Sequence, residues 1–381
     1  MIIKKLNKVT YNISILFVLS ILTFPLFGQE RHFGNTVVNP DRSTTFRFED
    51  STAKHVKVIC DCYLQKESVT IEDEDYRSAK MKKDETGIWT YTTPPLTSEV
   101  YTYMFEADGK NHRDPKNPDS IRVRRDKMSV FFVNGVPQTD LYQSDNLHGR
   151  VDTLVFESIT GGKNRGILVY TPPHYAENNE SYPVLYLLHG LNGNEYSWTE
   201  RGRAVEILDN LISTGKAQPM IMVLPDANPE QLVAQKEDVG LMKNILLYTT
   251  WDNLDFEKCF PKIDSFLSDH YRFSESPNSR AVAGLSAGAK QSANLANMYD
   301  STFSAIGLFS PAVTNKQLPN DQYSYYWIGV GSKDIFYHRI EKFHKKMQQM
   351  GIHHTMFKSA GGHIWRNWRV YFTEFSQTLF K

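Results

Sequence analysis

The chain has 381 residues, with 43 lysines and arginines against 43 aspartates and glutamates. This length accommodates two domains of ordinary size. The balanced charge excludes a bulk field that would attract nucleic acid or an anionic membrane. The three cysteines (Cys60, Cys62 and Cys259) match no metal-site spacing, and no phosphate-binding or redox motif occurs, so we expect no metal and no cofactor.

Residues 1–28 have the organisation of a secretory signal peptide. Lys4, Lys5 and Lys8 precede an apolar run over residues 13–24, and Gly28 stands at a suitable cleavage point. The run is shorter than the ~20 residues that cross a bilayer. No cysteine lies near the cleavage point, so we expect no lipid anchor. We therefore expect a periplasmic or secreted protein that leaves the membrane once the signal is removed. A retained N-terminal anchor is the alternative.

Residues 29–135 carry an alternating pattern that predicts strands. Apolar residues recur at every second position within 46–48, 56–64 and 101–107, and turn sequences separate these runs. The spacing favours a small all-β, immunoglobulin-like sandwich. Cys60 and Cys62 would share one strand face, which favours two buried thiols over a disulfide. The polar, turn-rich residues 136–150 are interpreted as a linker between two parts with separate hydrophobic cores.

Residues 151–381 show a different pattern. Continuous apolar runs, such as 184–188, 220–224 and 326–330, alternate with helical stretches at 204–213 and 338–350. Such runs indicate a mostly parallel sheet covered by helices on both faces, an α/β fold. In sheets of this kind, sites form at the carboxyl ends of the strands. That rule selects the candidate residues below.

A short motif marks the candidate nucleophile. The sequence Gly284-Leu-Ser286-Ala-Gly288 lies between an apolar run and a helix-like stretch. Small residues at these positions let the chain turn sharply and push the serine hydroxyl outward, as in a nucleophile elbow. We therefore expect Ser286 to be the nucleophile of an α/β-hydrolase. The alternative is a chance arrangement of glycines around a serine.

The acid of a triad should follow the serine in sequence and precede the histidine. Asp334 comes directly after the apolar run 326–330 and its short turn, at the carboxyl end of a predicted strand. It is therefore the candidate acid, although it could instead cap the helix that follows. Asp226 also follows a strand but precedes the serine, so we expect it to line the site or to cap a turn.

Five histidines follow the serine. His363 lies on a glycine-rich turn after the predicted strand 355–358, at the correct edge of the sheet, and is the candidate general base. His353 and His354 open that strand and so lie at the wrong edge. His338 and His344 are expected to be exposed on the preceding amphipathic helix.

An oxyanion hole requires two backbone N–H groups aimed at the developing negative charge. Ala287, next to the nucleophile, is one candidate donor. Leu191, in the turn after the strand 184–188, is the other. The alternative for the second position is an ordinary glycine-rich turn.

Four segments together resemble carbohydrate esterase family one, which includes feruloyl and acetyl-xylan esterases and belongs to a clan with enterochelin esterases. They read YLLHGLNGNEYSWTERGRAVEILDNLI, GLSAGAKQ, WIGVGSKD and GGHIWRNWR. The resemblance covers residues 150–381. It implies an α/β-hydrolase fold with Ser286, Asp334 and His363 as triad and with Leu191 and Ala287 as oxyanion donors. The sequence departs from the family pattern directly after the serine and in the oxyanion loop. These differences leave the preferred acyl group open.

The N-terminal part resembles the immunoglobulin-like module of family 48 carbohydrate-binding modules. The resemblance rests on TTFRFEDSTAKHVKV, GIWTYTTPPLTSEVYTYMFEADG and RDPKNP. It implies a two-domain esterase. Whether the module binds glycan is open.

These observations predict an exported serine esterase that acts on polysaccharide or a small ester, of open oligomeric state. Feruloyl esters are favoured over acetyl esters because Trp198, Trp365 and Trp368 lie beside the motifs of the site and could contact an aromatic acyl group. Core packing is the alternative for these rings. A siderophore or other small-ester hydrolase, and a glycan-binding protein with a silent hydrolase domain, are the alternative functions.

Overall fold

The structure, a computed structural model, describes residues 31–63, 77–123, 126–133, 148–157, 164–191, 193–228, 255–276, 278–320 and 324–381. The predicted signal peptide, most of the predicted linker and residues 229–254 lie outside these ranges. Among the described residues, no helix is long and apolar enough to cross a membrane.

The strands before residue 134 form two antiparallel sheets. Their bounds are β1 Arg31–Phe33, β2 Thr36–Val38, β3 Thr44–Glu49, β4 Val56–Cys60, β5 Arg77–Lys80, β6 Lys82–Lys83, β7 Ile88–Thr92, β8 Glu99–Ala107, β9 Lys110–His112, β10 Ser120–Val123 and β11 Asp126–Val133. The first sheet has the order β1-β2-β3-β7-β6. The second has the order β10-β11-β8-β4-β5, with β9 paired to β8. The assignment to an immunoglobulin-like module remains a prediction.

The expectation for the first two cysteines is wrong. Cys60 and Cys62 form a disulfide, with 5.2 Å between their Cα atoms. The strand β4 ends at Cys60, and residues 61–63 turn as a short 3₁₀ helix. Because Cys62 lies outside the strand, the alternation that would keep the two side chains parallel does not apply.

The remaining strands form one eight-stranded sheet with the order β12-β13-β15-β14-β16-β17-β18-β19. Their bounds are β12 Arg150–Glu157, β13 Asn164–Thr171, β14 Val184–Leu188, β15 Ile221–Pro225, β16 Arg280–Leu285, β17 Ala305–Phe309, β18 Tyr325–Gly331 and β19 His354–Ser359. The pairings of β12 with β13 and of β13 with β15 are antiparallel, and all the others are parallel. The predicted mostly parallel sheet is therefore observed.

Helices cover both faces of this sheet. Their bounds are α1 Ser197–Glu200, α2 Ala204–Ser213, α3 Asp255–Ser268, α4 Ala287–Met298, α5 Tyr337–Gln349 and α6 Trp365–Ser376. Residues of α2 and α6 belong to one buried cluster with one face of the sheet. Residues of α3, α4 and α5 belong to the cluster on the other face. The central strands are buried on both sides, which explains their continuous apolar runs.

The expectation of separate hydrophobic cores does not hold. Along β8, Tyr101, Tyr103 and Phe105 pack into the core between the two N-terminal sheets. The alternate residues Val100 and Met104 pack into the same cluster as α2 and α6. The second sheet is thus covered on both faces, by the first sheet on one side and by the α/β part on the other.

Candidate active site

Ser286 occupies a sharp turn between β16 and α4. Its backbone has φ 53° and ψ −108°, a conformation that costs a non-glycine residue about 1–3 kcal/mol. The surrounding structure holds it there, because its N–H donates to the carbonyl of Phe309 (2.8 Å) and its carbonyl accepts from Ala312 (3.2 Å). Strain of this kind, placed at the end of a central strand, is typical of a nucleophile elbow.

The glycines on either side of Ser286 allow close approach of backbone. A Cβ added at Gly284 would lie 2.5 Å from the carbonyl carbon of Gly288. A Cβ added at Gly288 would lie 2.3 Å from the carbonyl oxygen of His189. Neither position accepts a side chain unless the backbone moves, so the Gly-x-Ser-x-Gly pattern is a packing requirement of this turn.

Asp334 and His363 form a hydrogen-bonded pair. Nδ1 of His363 lies 3.2 Å and 3.1 Å from the two carboxylate oxygens of Asp334. The Asp334 side chain is fully buried, whereas that of His363 is 17% exposed. Since the carboxylate accepts a hydrogen bond from the N–H at Nδ1, Nε2 is the nitrogen that remains to act as a base.

The environment of Asp334 keeps it ionised. Burial alone would raise the pKa of this carboxyl. The hydrogen bond from His363 and its charge, the N–H of Phe336 and the hydroxyl of Ser310 oppose burial and hold the pKa of Asp334 below its usual range. The N–H of Phe336 donates to Oδ1 at 2.8 Å. Asp334 was expected either to pair with the base or to cap the helix that follows. It does both, because it caps the turn before α5 and also orients His363.

Ser310 is a residue of the candidate site that no sequence motif indicated. It follows β17, is fully buried, and has φ 49°. Its Oγ accepts a hydrogen bond from the indole N–H of Trp368 at 3.1 Å, and its hydroxyl stabilises the charge of Asp334. The only sequence signal was its position at the carboxyl end of a buried strand, which Ser310 shares with the predicted residues.

Strand order places the candidate residues at one edge of the sheet. Ser286, Ser310, Asp334 and His363 follow β16, β17, β18 and β19, which are neighbours in that order and parallel. The carboxyl ends of these strands meet at the same edge. The structure joins Asp334 to His363 directly. The backbone of Ser286 is bonded to Phe309 and Ala312, on either side of Ser310.

The turn that follows β14 lies against the nucleophile. The N–H of Gly193 donates to the carbonyl of Gly190 at 3.0 Å, which closes a turn around Leu191. A Cβ added at Gly190 would lie 3.5 Å from Cβ of Ser286. Ala287 is the first residue of α4. Both predicted oxyanion donors therefore belong to segments that adjoin Ser286, and their role remains a proposal.

His189 anchors this turn, although no motif in the sequence pointed to it. Its buried ring accepts a hydrogen bond from the N–H of Ala227 at Nε2 (3.0 Å), so its proton is on Nδ1, which donates to the carbonyl of Gly190 (2.7 Å). The amide of Asn228 donates to the carbonyl of Gly193 at 2.8 Å. The turn after β14 is thereby tied at both ends to the segment after β15.

Asp226 has a local role in that segment. Its Oδ1 accepts from the backbone N–H of Asn228 (3.0 Å) and from the amide of the same residue (2.7 Å). Of the two roles expected for Asp226, turn capping is the one that these bonds support.

The three tryptophans form a cluster beside His363, the candidate base. Trp198 is 1% exposed, and its N–H donates to the carbonyl of Leu188 at 2.9 Å, so it is a core residue and not a substrate contact as predicted. The ring of Trp365 lies 5.2 Å from both Trp198 and Trp368. Trp368 is 7% exposed and its ring lies 5.0 Å from that of His363. Trp365 is half-buried and is the most accessible of the three.

His344, His353 and His354 lie away from this edge. His353 precedes β19, and its carbonyl accepts from Tyr326 at the opposite end of the strands. His344, expected to be exposed, is half-buried because its Nδ1 lies 2.7 Å from Nε2 of His354. Among the described residues, no group of three or more metal-ligating side chains could hold an ion.

Comparison with known proteins agrees with an esterase fold. A family described as "Putative esterase" matches residues 158–334. The chain is 28% identical over 312 residues to an endo-1,4-beta-xylanase/feruloyl esterase of Xylanibacter ruminicola, which covers 79% of this chain and 41% of that protein. The chain therefore spans less than half of the length of this relative. The family match supports the predicted class, a carboxylic ester hydrolase.

Solved structures of two kinds share the fold. A ferulic acid esterase from Anaeromyces mucronatus, in complex with ferulic acid, has a TM-score of 0.55 at 22% identity and covers 64% of this chain and 96% of its own. The enterobactin esterase of Shigella flexneri has a TM-score of 0.62 at 15% identity and covers 92% and 95%. The predicted α/β-hydrolase fold is confirmed.

Proposed function

We propose that the protein is an exported serine esterase that hydrolyses acyl esters of plant cell-wall polysaccharide, with feruloyl esters favoured. The observation that carries the proposal is the hydrogen bond of His363 to buried Asp334, at the sheet edge where the strained Ser286 ends its strand. A serine needs a base to act as a nucleophile, and the base needs an acid that fixes its tautomer. The esterase family match supports the reaction class.

In the first half of the reaction, Oγ of Ser286 attacks the ester carbonyl carbon while Nε2 of His363 takes the hydroxyl proton. The carbonyl π electrons move to oxygen, and the backbone N–H groups of Leu191 and Ala287 would stabilise that oxyanion. The carbon–oxygen bond to the alcohol then breaks, and the alcohol leaves with the proton from Nε2. Asp334, ionised and buried, stabilises the imidazolium throughout.

In the second half, water attacks the acyl-enzyme. His363 takes a proton from the water at Nε2, a second tetrahedral oxyanion forms, and it collapses to release the carboxylic acid. Ser286 recovers its proton from Nε2. This chain's residues therefore supply nucleophile, base and charge stabilisation without any change of oxidation state.

The preference for feruloyl esters now depends chiefly on Trp365. This ring is half-buried next to the turn that carries His363, and the guanidinium of Arg201 stands 5.3 Å from its centroid. An aromatic acyl group in contact with a tryptophan gains about 0.5–1.5 kcal/mol from ring geometry, beyond the area it buries. An acetyl group is too small for that contact. The relative from Xylanibacter ruminicola, named a xylanase/feruloyl esterase, supports the same choice.

The test compares methyl ferulate with a matched acetate ester, and acetylated xylan with feruloylated arabinoxylan. We expect a higher kcat/KM for methyl ferulate, and we expect Trp365→Ala to reduce this preference about 2- to 10-fold, in line with the ring energies above. Trp365→Phe, which keeps an aromatic ring, should retain most of the preference. Release of acetate from xylan without cleavage of methyl ferulate would replace the feruloyl assignment by an acetyl one.

A siderophore ester is the second candidate. The enterobactin esterase structure covers 92% of this chain, and so includes the N-terminal sheets, whereas the ferulic acid esterase covers 64%. The same assay with enterobactin as substrate decides between them. Cleavage of enterobactin with a kcat/KM above that of methyl ferulate would favour this second function.

A further inference from the structure

A buried carboxylate of the N-terminal part holds two arginines of the α/β part. Glu99, the first residue of β8, accepts hydrogen bonds from Nη2 of Arg369 at 2.7 Å and from Nε of Arg366 at 3.0 Å. The side chains of Glu99 and Arg369 are 5% and 6% exposed, and that of Arg366 is 31% exposed. Charge-assisted bonds of this kind are strong and directional where water is excluded.

The same arginines make further hydrogen bonds, one within the α/β part and one to the N-terminal part. Nη1 of Arg369 donates to the carbonyl of Arg201 at 2.7 Å, in the segment that follows the oxyanion turn and α1. Nη2 of Arg366 lies 3.2 Å from the hydroxyl of Tyr101 on β8. Asp61 adds a second carboxylate beside Arg369; burial raises its pKa to about 6, against hydrogen bonds from Thr102.

The helix that carries these arginines also contacts the turn of His363, the candidate base. The arginines occupy the first turns of α6, which begins two residues after His363. The amide of Asn367 donates to the carbonyl of Gly362 at 2.9 Å. Trp368 contacts the ring of His363 and donates to Ser310. The start of α6 therefore fixes the turn of His363 from both the backbone and the ring side.

We propose that Glu99 is a positioning residue for ester hydrolysis: it anchors the first turns of α6 through Arg366 and Arg369, and so fixes the placement of His363. The N-terminal part then belongs to the catalytic apparatus, whatever it binds. Removing one partner of a buried ion pair leaves the other charges uncompensated. A shift of about 1 Å in a catalytic group can cost roughly 100-fold in rate. The inference rests on the proposed function.

The test measures kcat and KM on a small soluble ester for Glu99→Gln in the full chain. We expect kcat to fall about 10- to 100-fold while KM stays within about twofold, because the ester does not touch Glu99. Glu99→Asp keeps the charge and should retain more of kcat than Glu99→Gln. Circular dichroism and thermal unfolding establish that each variant is folded. If Glu99→Gln does not fold, Arg366→Gln takes its place, because it leaves the Glu99–Arg369 pair intact. The same result is then expected, a lower kcat with KM within about twofold.

Glu106→Gln is the matched control. Glu106 lies on the same strand and pairs with Lys57 within its own sheet at 3.0 Å, at a half-exposed position. Its kcat should stay within about twofold of the wild type. An unchanged kcat in folded Glu99→Gln, an equal loss in Glu106→Gln, or a rise in KM alone would each overturn the inference. Loss of activity in Ser286→Ala tests the proposed function separately.

Discussion

Ser286→Ala is expected to lower kcat by about 10⁴- to 10⁶-fold on any ester that the protein cleaves. The substitution removes the oxygen that the proposed mechanism uses to attack the carbonyl carbon, and leaves the turn after β14 in place. Alanine is small enough for the turn between β16 and α4, although it must adopt the same positive φ of 53°. The measurement is steady-state kinetics on the best cleaved ester, with thermal unfolding as a check on the fold.

Ser292→Ala is the control for this loss. Ser292 lies on α4, the helix that follows Ser286, and its hydroxyl donates to the carbonyl of Gly288 at 2.9 Å, away from the reacting atoms. Its activity should remain within a few-fold of the wild type. A Ser286→Ala variant that keeps a tenth of the wild-type kcat would contradict the assignment of the nucleophile.

His363→Ala is expected to be similarly severe, because without Nε2 no group takes the proton from the serine hydroxyl. The loss should appear in kcat, together with some loss of the free energy of unfolding, because the fully buried carboxylate of Asp334 is left without its hydrogen bond from Nδ1. Rates measured between pH 5 and 9 should stay low throughout this range, because the variant lacks the imidazole whose ionisation sets the pH dependence of the wild type. Recovery of near wild-type kcat at one end of the range would show that another group is the base.

His353→Ala supplies the comparison. His353 precedes the same strand, and its ring packs on Tyr325 at 5.4 Å, at the opposite end of the sheet from His363. Its substitution should change kcat by less than about threefold. If the effects of the two substitutions were reversed, the rule that sites form at the carboxyl ends of parallel strands would have selected the wrong histidine.

Strand ends and chain order were sufficient to predict the part of the site that depends on topology. Val184–Leu188 and Ala204–Ser213 have the bounds that periodicity predicted. Asp334 and His363 were selected because each follows a buried strand, and the structure places them in contact. Such features are local in sequence, and a parallel sheet converts them into proximity.

Features that depend on contacts between distant segments were not predicted. The alternation of Tyr101, Tyr103 and Phe105 indicated one buried face of β8, but Val100 and Met104 on the other face are apolar as well. The apolar residues on that second face were the sequence evidence that the N-terminal sheets and the α/β part share a hydrophobic core. Side-chain partners across it, such as Glu99 with Arg369, cannot be read from periodicity. Trp198 lay beside a site motif, yet its ring points into the core.

The most direct test of the proposed mechanism is mass spectrometry of the full chain after reaction with a serine-directed fluorophosphonate. Such a reagent bonds covalently to a serine that a neighbouring base activates. We expect a single adduct on the wild-type protein, located by peptide mapping at Ser286 and lost together with ester hydrolysis. Ser286→Ala should take up none. An adduct at another residue, or equal labelling of Ser286→Ala, would contradict the assignment of Ser286, Asp334 and His363 as the catalytic triad.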